Sequence, residues 1–175
     1  MINAFHASFL IEDKKSLQFP KKVFTENEVE QARELIEKGY KHHLKIKGSP
    51  KFKEKIQQIL NLIKAAGDYN FLRTYIRQIE EIEGLSQLHE ADAVIWANMP
   101  MLTDFVDAAS YIIQKTWQMK GYVEGKPYYG TEEKDLIEKR IEFLEKLQKK
   151  TENKDVKKKC AALLEKWADS SMMFP

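Results

Sequence analysis

Residues 78–114, QIEEIEGLSQLHEADAVIWANMPMLTDFVDAASYIIQ, decide how the rest of the chain is read. The stretch holds seven carboxylates (Glu80, Glu81, Glu83, Glu90, Asp92, Asp104 and Asp107) and neither a lysine nor an arginine. An even spread of the chain's 29 basic residues would place about six in a window of this length. The same window carries Leu88, Val94, Ile95, Trp96, Phe105, Val106, Ile112 and Ile113, enough apolar side chain for the middle of a core. Outside it the chain is lysine-rich and amphipathic. An acidic, apolar centre inside a basic periphery is the feature that a function has to use.

The 175 residues suffice for one domain with its own core. Hydrophobic residues at 43% and charged residues at 32% place the chain in the globular regime and outside the disordered one. A net charge of +2 gives no bulk electrostatic argument for nucleic acid or membrane, so any such argument rests on local patches. The single Cys160 excludes an intrachain disulfide framework and a cysteine-built zinc site. No apolar run reaches bilayer-spanning length, and the opening MINAFHASFLIEDKK lacks the basic start of a signal peptide. A cytoplasmic location with no membrane partner is the expectation.

Few glycines and prolines amid abundant Leu, Ile, Glu and Lys favour helices. Residues 1–24 read as an irregular arm, its Phe5, Phe9, Leu10, Phe19 and Phe24 packed on the body. Thr25 with Glu28 forms a capping box, and Val29, Ala32, Ile36, Tyr40 and His43 carry a helical period to about Ile46. On that seam His43 faces the core and His42 points partly to solvent. Ser49 and Pro50 open a second helix that Gly67 stops; Asp68 opens a third, with Leu72, Ile76 and Ile79 on one side and Gly84 at its end. Ser86 caps a fourth that Pro100 ends, and Thr103 starts a fifth. After the tyrosine-rich loop 121–130, Thr131 and Asn153 cap a sixth and a seventh, and Cys160 falls on the apolar stripe of the last. The expected fold is all-α: a single-domain bundle of about six to seven antiparallel helices over residues 25–175, with the arm before it.

Within that fold the acidic window places Glu80 and Glu83 at the end of the third helix. His89 and Asp92 fall at the start of the fourth. If the two helices fold back about Gly84 and Leu85, all four converge. Carboxylates with one imidazole suit a divalent ion such as Mg²⁺ or Mn²⁺. The arrangement Glu80-x-x-Glu83 followed by HEADAVIW resembles the all-α nucleotide pyrophosphohydrolases, whose paired acidic motifs on successive helices bind Mg²⁺ and a nucleotide's phosphates. The likeness covers about fifteen of the 175 residues. His89 stands where that family has Glu, and the gap between the pairs is shorter than the family's. The resemblance implies a metal-dependent nucleotide phosphohydrolase.

The lysines form a second constellation. In the patch from Lys38 to Lys55, Lys41, Lys45, Lys47, Lys51 and Lys53 stand with Tyr40, His42, His43 and Phe52 interleaved, a pattern suited to phosphate contact in a nucleic acid. No serine or cysteine nucleophile motif, phosphate-cradling glycine loop or H-E-x-x-H occurs. No residue is therefore assigned a catalytic role and no cofactor is required. Asp104 and Asp107 fit the first turn of a helix, where acids complement the dipole. Three functions follow. The leading one is a non-catalytic interaction or self-association module, since an acidic and a basic face on one molecule can pair head to tail. The metal-dependent phosphohydrolase and the nucleic-acid binder are the alternatives.

Overall fold

The structure is a computed structural model and describes residues 18–126 and 132–171. Its described residues form six α-helices and a four-stranded mixed sheet, which corrects the expected all-α bundle. The sheet lies largely inside the acidic window. Strand β1 (Lys45–Lys47) is parallel to β2 (Gln78–Glu81), β2 is parallel to β4 (Val94–Ala97), and β3 (Gln87–His89) pairs antiparallel with β4. The spatial order is β1-β2-β4-β3.

The expected first helix is α1 (Glu26–Glu37), opened by Thr25, whose hydroxyl accepts from the Glu28 N–H while the Glu28 carboxylate accepts from the Thr25 N–H. It stops nine residues short of the expected end. Gly39 turns at φ +91° and the chain runs on extended into β1. That changes which histidine is inside: His42 is buried and His43 exposed, the reverse of the helical expectation. Helix α2 (Pro50–Ala66) has the predicted Ser49 cap, and Gly67 closes it in the left-handed region. Helix α3 (Tyr69–Tyr75) is cut short at Ile76, which is extended, and Gln78–Glu81 becomes a strand instead of a last helical turn.

The expected fourth helix is absent. Its residues form β3, a single 3₁₀ turn at Glu90–Asp92 and β4. Ser86, expected to cap a helix, instead accepts from the Asn98 N–H at 2.9 Å, while the Asn98 amide donates to the Gly84 carbonyl at 2.9 Å. This brace closes the 82–86 turn so that β4 inserts between β2 and β3. Ala93, at φ +54°, makes the reversal from the 3₁₀ turn into β4. The physical reason for the misreading is strand length. Ile76, Ile79 and Ile82 recur every third residue as in a helix, while strands of three or four residues are too short to display alternation. The Ile, Val and Trp content favours the pleated conformation once neighbouring strands supply the hydrogen bonds.

Helix α4 (Phe105–Val123) is the axis of the molecule and touches α1, α2, α3, β3, α5 (Glu132–Lys150) and α6 (Lys154–Ser171). Asp104, not Thr103, caps it by accepting from the Val106 and Asp107 N–H groups. Asp107, in the first turn, pairs with the buried Arg140 at 2.6 Å, and Asp104 is the cap and not the first-turn acid expected. The core joins Phe52, Ile56, Ile59 and Ile63 of α2 to Ile112 and Ile113 of α4, to Phe143, Leu144 and Leu147 of α5, and to Ile79 and Ile95 of the sheet. Cys160 is buried, as its stripe suggested, and burial pushes its thiol up to about 11. Asn153 caps α6 through Asp155 and Val156.

The described part of the arm packs through Phe19 and Val23. Phe19 stacks on Tyr40 (5.2 Å between centroids) and meets His42 edge-on (4.4 Å). Arg77 donates to the Pro20 and Lys21 carbonyls. Phe24 is exposed. The FHASFLI run, the tyrosine loop beyond Lys126, the Thr131 cap and the tail at 172–175 lie outside the described residues. Among the described residues no helix is long and apolar enough to cross a membrane.

Candidate functional site

Side chains alternate across a strand, so the pairing register sorts the sheet's residues onto two faces. One face reads Ile46, Ile79, Ile95 and Leu88 across the four strands; these residues join the helical core. The other face has two rows. The first is Lys45, Gln78, Val94 and His89; the second is Lys47, Glu80, Trp96 and Gln87. Val94 and Trp96 stand outside the core cluster, which places them on the polar side. Lys45, Lys47 and Gln87 are exposed; Gln78, Glu80, His89 and Trp96 are half-buried. An indole held on a polar sheet face is the least expected feature of the molecule.

Trp96 and Glu80 of the second row are positioned by neighbours. The imidazole of His89 lies against the Trp96 ring at 4.8 Å with an interplanar angle of 22°. Among the described residues no other ring or cation stands against that indole. Lys47 Nζ approaches Glu80 Oε1 at 3.0 Å, and Gln78 Nε2 donates to Glu80 Oε2 at 2.9 Å. Asp92 Oδ2 is 2.8 Å from His89 Nδ1; the contact is short but off the line a ring N–H bond requires. Lys22 pairs with the other Asp92 oxygen. The Lys22 ammonium, with a smaller part from His89, holds the Asp92 carboxyl below the usual aspartate range.

The four predicted ion ligands are therefore divided. His89 and Asp92 come together, with Asp92 Oδ2 beside His89 Nδ1 and the His89 ring against Trp96. Glu80 shares their face from β2, with Trp96 of β4 between it and His89. Glu83 follows β2 in the 82–86 turn, beside a crevice of about 730 Å³ at the carboxyl ends of the parallel strands, which Glu80, Glu81 and Asn98 also line. No three His, Cys, Asp or Glu among the described residues are grouped as a metal would need. The helical hairpin that was to gather them does not form, because both of its arms are strands. Glu81, next to Glu80, serves the backbone: its carboxylate accepts from the Ser49 N–H at 2.6 Å at the start of α2.

The five predicted phosphate-contact lysines are also distributed. Lys45 and Lys47 lie on the polar face at the sheet edge; Lys41 is in the extended lead to β1, and Lys51 and Lys53 are exposed on the first turn of α2. Sequence reasoning missed Trp96, Gln78 and Gln87. A signal for the face existed in the triplets Lys45-Ile46-Lys47 and Gln87-Leu88-His89, each polar–apolar–polar at a period of two.

A scan against protein-family models found no match to the chain. Searches of curated proteins and of solved structures found no match either. The functional reading rests on the geometry of the face.

Proposed function

We propose that this chain is a non-catalytic nucleic-acid-binding protein that holds a single strand across the polar face of its sheet. The observation that carries the reading is Trp96, half-buried on that face, backed by His89 and set two strands from the edge lysines Lys45 and Lys47. Bases of a single strand have exposed π-faces, and stacking on an aromatic side chain is worth about 1–3 kcal/mol per base. Lys45 at the sheet edge supplies a phosphate contact without demanding a sequence, while Lys47 is paired with Glu80. A stacking side chain on a sheet face suits an unpaired strand, whose bases are unstacked and open to it.

The test is a titration of the full chain with oligonucleotides of about seven nucleotides at low salt, followed by intrinsic fluorescence and filter binding. Quenching should occur in the parent and be lost in Trp96→Leu, because Trp117 and Trp167 are held elsewhere, against Phe71 and Arg140. Lys45→Gln should lower the slope of log affinity against log salt by about 0.7. Quenching that persists in Trp96→Leu defeats the reading, as does the absence of binding. If no oligonucleotide binds and the chain instead sediments as a dimer at low salt and a monomer at high salt, self-association between acidic and basic surfaces takes its place.

A further inference from the structure

Trp96 explains why a base would rest on this face, but Glu80 beside it does something else. Register places Glu80 directly opposite Trp96 on the adjacent strand, about 4.8 Å away along the hydrogen-bonding direction. Its carboxylate is held at both oxygens, by Lys47 Nζ at 3.0 Å on Oε1 and by Gln78 Nε2 at 2.9 Å on Oε2. A carboxylate oxygen accepts at two lone-pair positions. Each Glu80 oxygen thus keeps one acceptor direction while its neighbours fix the plane of the group. With its side chain 27% exposed, the carboxylate is reachable from the solvent side. This is a two-point acceptor, oriented in advance, next to a stacking surface.

The bases differ in what they offer such a group. Guanine presents two adjacent donors, N1–H and N2–H₂, on its Watson–Crick edge. Adenine and cytosine present one amino group beside a ring acceptor that the carboxylate repels. Uracil and thymine present one imide N–H between two carbonyls. A paired N–H···O⁻ contact to a carboxylate is the strong, geometrically selective case, and a good bidentate contact discriminates between bases by about tenfold or more. Guanine also carries O6 next to N1–H, an acceptor for the Lys47 ammonium that flanks Glu80.

We infer that the sheet face reads guanine: Trp96 stacks the base and the Glu80 carboxylate, steadied by Lys47 and Gln78, accepts from its N1–H and N2–H₂. This rests on the single-strand reading above and adds a base preference to it.

The experiment compares the full chain's affinity for a seven-nucleotide oligouridine with that for the same strand carrying one central guanine, adenine, cytosine or inosine. Oligouridine should bind, with Trp96 quenching. The central guanine should raise affinity about tenfold, adenine and cytosine should leave it near the oligouridine value, and inosine, which lacks the N2 amino group, should fall between. Glu80→Gln keeps the side chain's shape on the solvent face and should remove the guanine preference while oligouridine still binds. If oligouridine binds and quenches Trp96 but the four substituted strands are indistinguishable, the guanine inference falls and the single-strand reading stands. A guanine preference that survives Glu80→Gln overturns the role of Glu80. If no strand binds, both readings fall.

Discussion

Acid should destabilise this protein through His42, and the effect can be isolated. The imidazole is 3% exposed, enclosed by Phe19 and Tyr40, and its Nε2 has no hydrogen-bond partner among the described residues. Burial, aided by the positive charge of Arg77, lowers its pKa from the ordinary 6.5 to about 4. In the unfolded chain the same group takes a proton near pH 6.5. Between the two values the unfolded state binds more protons than the folded one, so stability is full above the upper value and falls as pH drops through the window. The linkage relation gives a loss of about 1.4 kcal/mol at about pH 5.5 and about 2.5 kcal/mol at about pH 4.5. For a chain of this size the latter corresponds to roughly 5–10 °C in melting temperature. The assay is urea unfolding of the parent and of His42→Phe from about pH 7.5 to about pH 4.5. Phenylalanine keeps a ring between Phe19 and Tyr40 and cannot titrate. Carboxylates with lowered pKa, such as Asp92 and Glu124, contribute equally to both proteins and cancel in the difference. The stability gap between parent and variant should therefore shift in the variant's favour by about 2.5 kcal/mol on acidification. Parallel stability curves would refute the burial of a neutral His42.

Two further predictions concern the framework that presents the sheet. At Gly48, between β1 and α2, an added Cβ would meet Phe52 Cδ1 at 2.7 Å and Glu81 Cβ at 2.8 Å. Gly48→Ala should cost about 1–3 kcal/mol by overpacking, whereas Gly121→Ala, with nothing within 4 Å inside α4, should stabilise by about 0.5–1 kcal/mol; denaturant melts that rank the two the other way would count against this packing. Asp104 satisfies two N–H groups at the start of α4, so Asp104→Ala should cost about 1 kcal/mol and Asp104→Ser should recover most of it. Equal loss in both variants, measured by thermal unfolding, would show that capping is not the residue's contribution.

What could be read without tertiary information was whatever a few consecutive residues specify. The Thr25–Glu28 capping box, the Ser49-Pro50 start and Gly67 stop of α2, the Asn153 cap and the burial of Cys160 on a half-buried stripe all rest on local sequence, and all appear in the structure. The window without lysine or arginine holds three of the four strands, but their form was not legible. Ile76, Ile79, Leu88 and Ile95 fit a helical spacing as well as they fit separate short strands. A strand three or four residues long has no hydrogen-bonded structure of its own; its bonds exist only when the neighbours arrive. The same limit hid the site. Glu80 meets Trp96, and His89 meets Trp96, only because β4 inserts between β2 and β3 after the chain has turned at 82–86. Local sequence determined the caps of α1, α2 and α6 and the stop of α2, but not the absence of a helix after Ser86. The order of strands in the sheet, set by long-range pairing, decided which side chains share a face.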